Sequence, residues 1–448
     1  MKYNTRLIML ICFWQCIDVA IASNIKQFEP LQRRAKWNAQ FNPMHQSRSG
    51  KEIKSINSDS VLHKAGLKFG DILLSVNGKK IDSNAIWSDL TDSLVANKKY
   101  ELTFIRNGKK HITKAKFKPI EREKYNGIDV FYGDIINNSG VRQRTIITKP
   151  KKSNEKQAAI FMLQGLSCSS IEYTPGRSSN FIKTLQNIIT GTNMVVMRVE
   201  KPGLGDSEGD CSNTDFLTEL SGYENALKYL LTLDYIDPDR IIIYGNSMGS
   251  AIAPYLANKY NLNGVISDGT FYRSWFEHML EIERRIKTMQ GLKQDEISQL
   301  MNQVYIPLYY NMLINKMSYE EIITKNPLFT KHNYHQKNHM YGRPMSYYHQ
   351  LQDFDFAGQW QKITAPVRVR WGTNDWIMSE SDNDMIEGIL KQNKHSNFEV
   401  YKFSGMDHWS TIHASAENSF KGKKGKWEDR ISQQIIDWAI EINTKSNR

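Results

Sequence analysis

Cysteine is scarce in this chain, with four residues in 448, at positions 12, 16, 168 and 211. So low a count leaves room for one or two bridges and excludes a fold stapled mainly by disulfides. Long apolar runs are also few. The N-terminal one, LIMLICFWQCI (residues 7–17), is too short to cross a bilayer. It follows a basic start, MKYNTR, and precedes VAIAS, in which Ala20 and Ala22 form the small-x-small pattern of a signal peptidase site. Residues 1–22 therefore read as a signal peptide and the protein as exported, periplasmic or secreted; Asp18, close behind the apolar run, leaves an uncleaved anchor as the alternative. Cys16 lacks the small residues before it that a lipoprotein signal needs. Cleavage near Ala22 leaves Cys168 and Cys211, enough for one bridge.

Charge of one sign is not concentrated either. The net charge is +12, yet Lys and Arg are scattered, and the densest clusters, KPKKSNEK (149–156) and KGKKGK (421–426), read as solvated surface loops. This excludes nucleic acid as a partner and leaves at most peripheral attraction to an anionic membrane surface. At 40% hydrophobic and 24% charged residues, the composition is that of a globular protein long enough for two or three domains.

A first module spans residues 40–120. It contains EIKSI, SDSVLHKAGLKFGDILLSVNGKKI, a polar-faced helix AIWSDLTDSLVAN, and YELTFIRNGKKHITKAKF, which alternates on both sides of Asn107-Gly108 as a hairpin does. Ala65-Gly66-Leu67, Gly70-Asp71 and Val76-Asn77-Gly78 stand where the PDZ family has them, and the run resembles that family. The resemblance implies a small α+β fold and a peptide or protein ligand added as a strand. The stretch before EIKSI, MHQSRSGKEI, shows no clear form of the PDZ carboxylate loop, so a docking or spacing role stays open.

The second module runs over 125–448. GIDVFYGDII and GVRQRTIITKP read as an antiparallel pair around Asn138-Ser139-Gly140. Short apolar strands then alternate with helices: AAIFMLQG (158–165), MVVMRVE (194–200), RIIIYGNS (240–247), GVISDG (264–269), VRVRWGTND (367–375) and FEVYKFSGMDH (398–408). Such alternation predicts a mostly parallel sheet with helices on both faces. Between Gly269 and Pro366 the rhythm gives way to helical periods rich in Met and aromatics, a helical cap insertion over about 270–362 with no strand signal. Its aromatics are first its own core, and some are expected to line an apolar substrate pocket.

YGNSMGS (244–250) holds Ser247 between Gly245 and Gly249, with RIIIY before it as strand and AIAPYLANKY after it as helix. Small flanking residues are needed where strand and helix backbones crowd at a nucleophile elbow. Asp375 follows one late strand and His408 the last, so nucleophile, acid and base arrive in that order. A serine hydroxyl needs a contacting base and a carboxylate to orient it. Asp382 and Asp407 are the rivals for the acid; Asp382 lies a turn or more downstream, and Asp407 abuts the histidine.

On these residues 125–448 resembles the α/β-hydrolase family. The resemblance implies an α/β-hydrolase fold, Ser247, Asp375 and His408 as catalytic residues, and an oxyanion hole from the backbone of Met248 and, where LQGLS replaces the commoner His-Gly, of Leu166. It also places Cys168 and Cys211 on adjacent loops, able to bridge. EKPGLGDSEGD (200–210) lacks the Lys-Ser/Thr of a phosphate loop and reads as structural. His332, His335 and His339 have metal-ligand spacing but no carboxylate or cysteine joins them, so neither metal nor cofactor is expected. The expected activity is hydrolysis of a carboxylic ester or thioester through an acyl-enzyme, on a small-molecule or peptide substrate. A serine peptidase of the aminopeptidase or prolyl-oligopeptidase type is the alternative, acyl transfer a further outcome, and an inert scaffold the reading from another class.

Overall fold

The computed structural model describes residues 30–43, 49–151, 155–173, 179–333 and 335–445. The signal-peptide segment 1–22, with Cys12 and Cys16, and residues 44–48 of the stretch searched for a carboxylate loop lie outside these. The first β-rich region comprises β1 (Ala35–Lys36), β2 (Ala39–Phe41), β3 (Lys51–Ile56), β4 (Ile72–Val76), β5 (Lys79–Lys80), β6 (Lys99–Arg106), β7 (Lys109–Lys116) and β8 (Lys118–Pro119). Two helices, α1 (Val61–Lys64) and α2 (Asn84–Ser93), are each capped by a serine, Ser60 and Ser83. The main sheet has the order β2-β3-β4-β6-β7. Asn107 and Gly108 take φ of 51° and 76°, the positive values a two-residue hairpin turn requires.

Alternate residues of these strands (Ile53, Leu73, Leu102 and Phe104 among them) form a core of their own. The outer edge of β3 is paired antiparallel by the chain's own β2. Trp37 and Phe41 then seat on Trp87 of α2, with ring centroids 5.2 and 4.6 Å away. β2 is therefore the edge strand of this sheet, and the aromatic rings beside it close onto the helix.

The second region is built on an eight-stranded sheet. Its strands are β9 (Ile128–Ile136), β10 (Arg142–Pro150), β11 (Gln157–Leu163), β12 (Val195–Val199), β13 (Ile236–Asn246) and β14 (Gly264–Asp268). A two-residue pair, β15 (His339–Met340) and β16 (Arg343–Pro344), intervenes before β17 (Val367–Gly372) and β18 (Phe398–Phe403). The order is β18-β17-β14-β13-β11-β12-β10-β9. Only β9 and β10 run antiparallel to their neighbours. Every residue of β11 is buried, as expected of a strand covered on both faces. Alternation splits it between two cores. Ala159, Phe161 and Leu163 join the core with α4 (Phe216–Leu231) and α5 (Met248–Tyr260). Ala158, Ile160 and Met162 join the core with α3 (Asn180–Gly191) and the helix Arg430–Lys445.

The insertion after β14 is helical, beginning with α6 (Trp275–Met289), and its Trp275, Met279, Tyr305 and Tyr347 extend the first of these cores. The β15–β16 pair departs from the all-helical expectation. Tyr341 and Gly342 turn between them with φ of 48° and 75°, and two-residue strands are too short to show alternation in sequence. No helix among the described residues is long and apolar enough to cross a membrane.

Because β11 and β12 are neighbours, the loops after them lie side by side, and Cys168 on one is bonded to Cys211 on the other. A link across 43 residues restricts the unfolded chain by about 4 kcal/mol in closure entropy. Replacing both cysteines with Ala is expected to lower unfolding free energy by about that amount, read as a shift in denaturant midpoint. An equal midpoint in both chains would contradict it.

Candidate active site

Strand β13 ends at Asn246 and α5 begins at Met248, leaving Ser247 alone in the turn with φ 54° and ψ −123°. A non-glycine residue there is strained, and the surroundings must hold it. The Ser247 N–H donates to the Asp268 carbonyl at 2.9 Å, and its own carbonyl accepts from Ser250 N–H at 2.9 Å. A Cβ on Gly245 would meet the Gly249 carbonyl oxygen at 2.3 Å, and one on Gly249 the Leu163 carbonyl oxygen at 2.4 Å. Neither neighbour is a side chain that can swing aside, so both positions require glycine.

The histidine and the acid reach this serine from strands further along the sheet. His408 Nε2 lies 3.0 Å from Ser247 Oγ, and its Nδ1 lies 2.8 Å from Asp375 Oδ2. The other carboxylate oxygen of Asp375 accepts the N–H groups of Ile377 and Met378, both at 2.8 Å, which fixes the plane of the carboxylate. Burial works against charge on the His408 ring. The Asp375 charge and hydrogen bond, with Asp268 and Asp407 behind them, outweigh it and hold the imidazole above its ordinary pKa.

The rival acids have other partners. Asp382 accepts from the Tyr272 N–H and faces Arg273. Asp407 accepts from Trp409 N–H, Thr411 N–H and the Ser419 hydroxyl, shaping the turn that carries His408.

Met248 is the first residue of α5, so its N–H has no acceptor within the helix. Leu166 lies across the turn, on the loop after β11, where Gly165 approaches so closely that a Cβ on it would be 3.0 Å from that of Ser247. Between them opens a cavity of about 560 Å³. Trp275 and Ile282 of the insertion, with Ile377 and Trp409, form apolar walls, and Ser169 and Asn180 form part of a polar one. The insertion therefore covers the site.

The elements that hold these loops were not singled out from sequence. Arg285 of α6 donates to the carbonyls of Trp376 and Ile377, anchoring the acid's loop to the insertion. Arg370 forks onto Asp268 at 2.8 and 2.6 Å, behind the carbonyl that receives Ser247 N–H. His278 is buried beside the cavity, stacked on Phe271, and desolvation drives it well below its ordinary pKa, keeping it neutral. The only advance signal was a charged residue inside an apolar or turn segment, as with Arg370 in VRVRW. His332 packs on Tyr305 and His335 on Tyr341, while His339 Nδ1 contacts the Lys337 carbonyl. Among the described residues no group of three His, Cys, Asp or Glu is placed to hold a metal.

The crowding at the elbow yields a direct test. Gly249→Ala forces a backbone shift in β11 or α5, and overpacking of this kind costs about 1–3 kcal/mol or more. A melting temperature within error of the unsubstituted chain would show that the turn has slack.

Comparison with known proteins bears on the same residues. Residues 202–412 match the family model described as alpha/beta hydrolase fold. The esterase EstD of Thermotoga maritima is 20% identical over 297 residues, 66% of this chain and 64% of the esterase, so the chain spans just under two thirds of that relative. A probable periplasmic serine protease do/HhoA-like of Haemophilus influenzae is 37% identical over 70 residues, 16% of this chain and 15% of the protease. A solved structure, Est1E from Butyrivibrio proteoclasticus with ferulic acid bound, is 16% identical with a TM-score of 0.45, covering 71% of this chain and 99% of that one. The family match, together with a mostly parallel eight-stranded sheet and a serine at the turn from β13 into α5, gives this chain the alpha/beta hydrolase fold.

Proposed function

We propose that this protein is a serine hydrolase that cleaves a carboxylic ester or thioester through an acyl-enzyme. The observation that carries the reading is the position of His408, its ring bridging Ser247 Oγ and Asp375 Oδ2 at hydrogen-bond distance on both sides. In the proposed cycle, Ser247 Oγ attacks the acyl carbon while His408 Nε2 takes its proton. Asp375 holds the tautomer that leaves Nε2 free to accept and stabilises the imidazolium that forms. The Met248 and Leu166 N–H groups receive the developing oxyanion. His408 then protonates the leaving group, and water repeats the sequence to release the acid. Similarity to an esterase over 66% of the chain supports an ester-type hydrolase. The apolar side of the cavity suits an acyl chain or an aromatic ester.

The N-terminal β-rich region is proposed to be PDZ-like, with docking rather than capture of peptide C-termini as its role, because Trp37 and Phe41 pack on Trp87 of α2, the helix that would flank a peptide groove. Export is proposed from the N-terminal segment, and the Cys168–Cys211 bond suits an oxidising compartment.

A fluorophosphonate probe should label the wild type and not Ser247→Ala, read by gel fluorescence. A folded wild type that fails to label would leave the scaffold reading standing. Chromogenic esters and thioesters tested beside aminoacyl and prolyl amides should show turnover of the esters; activity confined to the amides would make the protein a peptidase instead.

The pH profile tests Asp375. His408 must be neutral to accept a proton, so activity rises with pH through its raised pKa. Asp375→Asn removes the charge that raises it. The acid limb of kcat/KM should then move to lower pH, with kcat reduced roughly 10³–10⁴-fold. An unmoved acid limb would show that another group orients the histidine.

A further inference from the structure

Lys201 follows β12 and runs beneath the loop after β11. It is 1% exposed. Its Nζ donates to the carbonyls of Gly165 at 2.5 Å and Leu166 at 3.1 Å, with that of Ser167 at 3.5 Å. Glu219 of α4 faces it at 3.2 Å and is itself bound by Arg343 of β16. The preceding residue, Glu200, takes hold of the far side of the same loop. It accepts the Ser170 hydroxyl and the N–H groups of Ile171 (3.1 Å) and Glu172 (3.2 Å). The segment 165–172 is thus gripped by a cation on its early carbonyls and by a carboxylate on its later N–H groups. The disulfide at Cys168 lies between the two.

The geometry of one peptide bond gives this grip a consequence. In a trans peptide, the C=O of one residue and the N–H of the next point in opposite directions. Among the described residues there is no cis peptide bond. Lys201, by holding the Gly165 carbonyl, turns the Leu166 N–H to the opposite side of the peptide. Gly165 itself abuts Ser247, since a Cβ on it would lie 3.0 Å from the serine Cβ. A carbonyl bound by an ammonium also polarises its own amide and makes that N–H a stronger donor.

We propose that Lys201 is a positioning residue for the oxyanion hole, orienting and polarising the Gly165–Leu166 peptide so that the Leu166 N–H receives the transition-state charge. The proposal rests on the serine-hydrolase reading above. The ammonium need not touch substrate; it acts through the peptide. Burial pushes Lys201 down to about 8, against the pull of Glu219, while Arg343 lowers it further and Glu200 raises it. The lysine is therefore charged at neutral pH and loses its charge as pH rises through that value.

Lys201→Met keeps an unbranched chain and removes the charge. With p-nitrophenyl butyrate, kcat should fall roughly 10–100-fold with KM within about threefold of wild type, the pattern of a contact made only in the transition state. An alkyl trifluoromethyl ketone, whose serine hemiketal places an oxyanion in the same hole, should lose affinity by a similar factor. A purely structural lysine would change melting temperature without this parallel. A folded Lys201→Met whose kcat and ketone affinity stay within about threefold of wild type would overturn the proposal, as would a loss confined to KM.

If Lys201→Met does not fold, Glu219→Gln serves instead. It keeps the lysine and removes the carboxylate that favours its charged form, so the alkaline limb of kcat should move to lower pH. An unmoved limb would also overturn the proposal. Fluorophosphonate labelling of the wild type separates the two levels: without labelling at Ser247 the hydrolase reading falls, whereas labelling with an indifferent Lys201→Met removes only the role of the lysine.

Discussion

The Leu163 carbonyl oxygen stands 2.4 Å from where a Cβ of Gly249 would be, and the Gly249 carbonyl oxygen 2.3 Å from where one of Gly245 would be. That closeness of β11, β13 and α5 governs the rest of the site. It forces the chain to reverse within one residue, and the residue at the reversal is held at a φ of 54° that its side chain disfavours. Such strain persists only where the surroundings over-determine it. Here the main chain on both sides of Ser247 is tied down, its N–H to Asp268 and its carbonyl to Ser250. The result is a hydroxyl projecting beyond the end of β13, at the start of a helix whose first N–H groups lack internal acceptors.

The loops that meet this hydroxyl are held by buried charge. Arg370 with Asp268, Arg343 and Lys201 with Glu219, and Arg198 with Glu123 all lie almost wholly out of solvent. Removing charge from water is costly, and a buried pair contributes little net stability over an apolar substitute. What such pairs supply is directional fixing, since a guanidinium or ammonium with defined acceptors cannot slide as an aliphatic side chain can. Most of these side chains grip loop backbone as well as each other. Arg343 reaches the Thr214 carbonyl and Lys201 the carbonyls of Gly165 and Leu166; outside these buried pairs, Arg285 reaches those of Trp376 and Ile377. Two of them, Arg285 and Arg343, belong to the insertion, so the cover of the cavity and the loops of the site are tied together.

The N-terminal β-rich region follows a different logic. A three-residue strand, β2, ends the sheet beyond β3 with Trp37 and Phe41 against Trp87, and so short an edge offers little for another chain to pair with. Ion pairs and hydrogen bonds from Arg33 and Arg34 tie this region to the second region. Arg33 bonds Glu172 and Asp206, and the Arg34 N–H also donates to Asp206. Glu172 lies in the loop that Glu200 holds, so this contact reaches the same segment that carries Leu166.

Much of this was legible in the residues themselves. The alternation of buried strands with helices, the turn at Asn107-Gly108, the glycines around Ser247 and the order of Asp375 and His408 are local patterns, each the consequence of a short-range steric or periodic rule. Strand order follows from such patterns only in outline, and the β15–β16 pair escaped because two residues show no period. The roles of Lys201, Glu219, Arg285 and Arg343 were hidden for a different reason. Each acts on backbone groups far away in the chain, and a hydrogen bond to a carbonyl leaves no trace in the identity of the residue that owns it. Sequence alone thus placed Ser247, Asp375 and His408 at strand ends, because strand, turn and glycine patterns are written in neighbouring residues. Tertiary structure alone decided what holds the backbone around them, because that grip depends on which loops the sheet brings side by side.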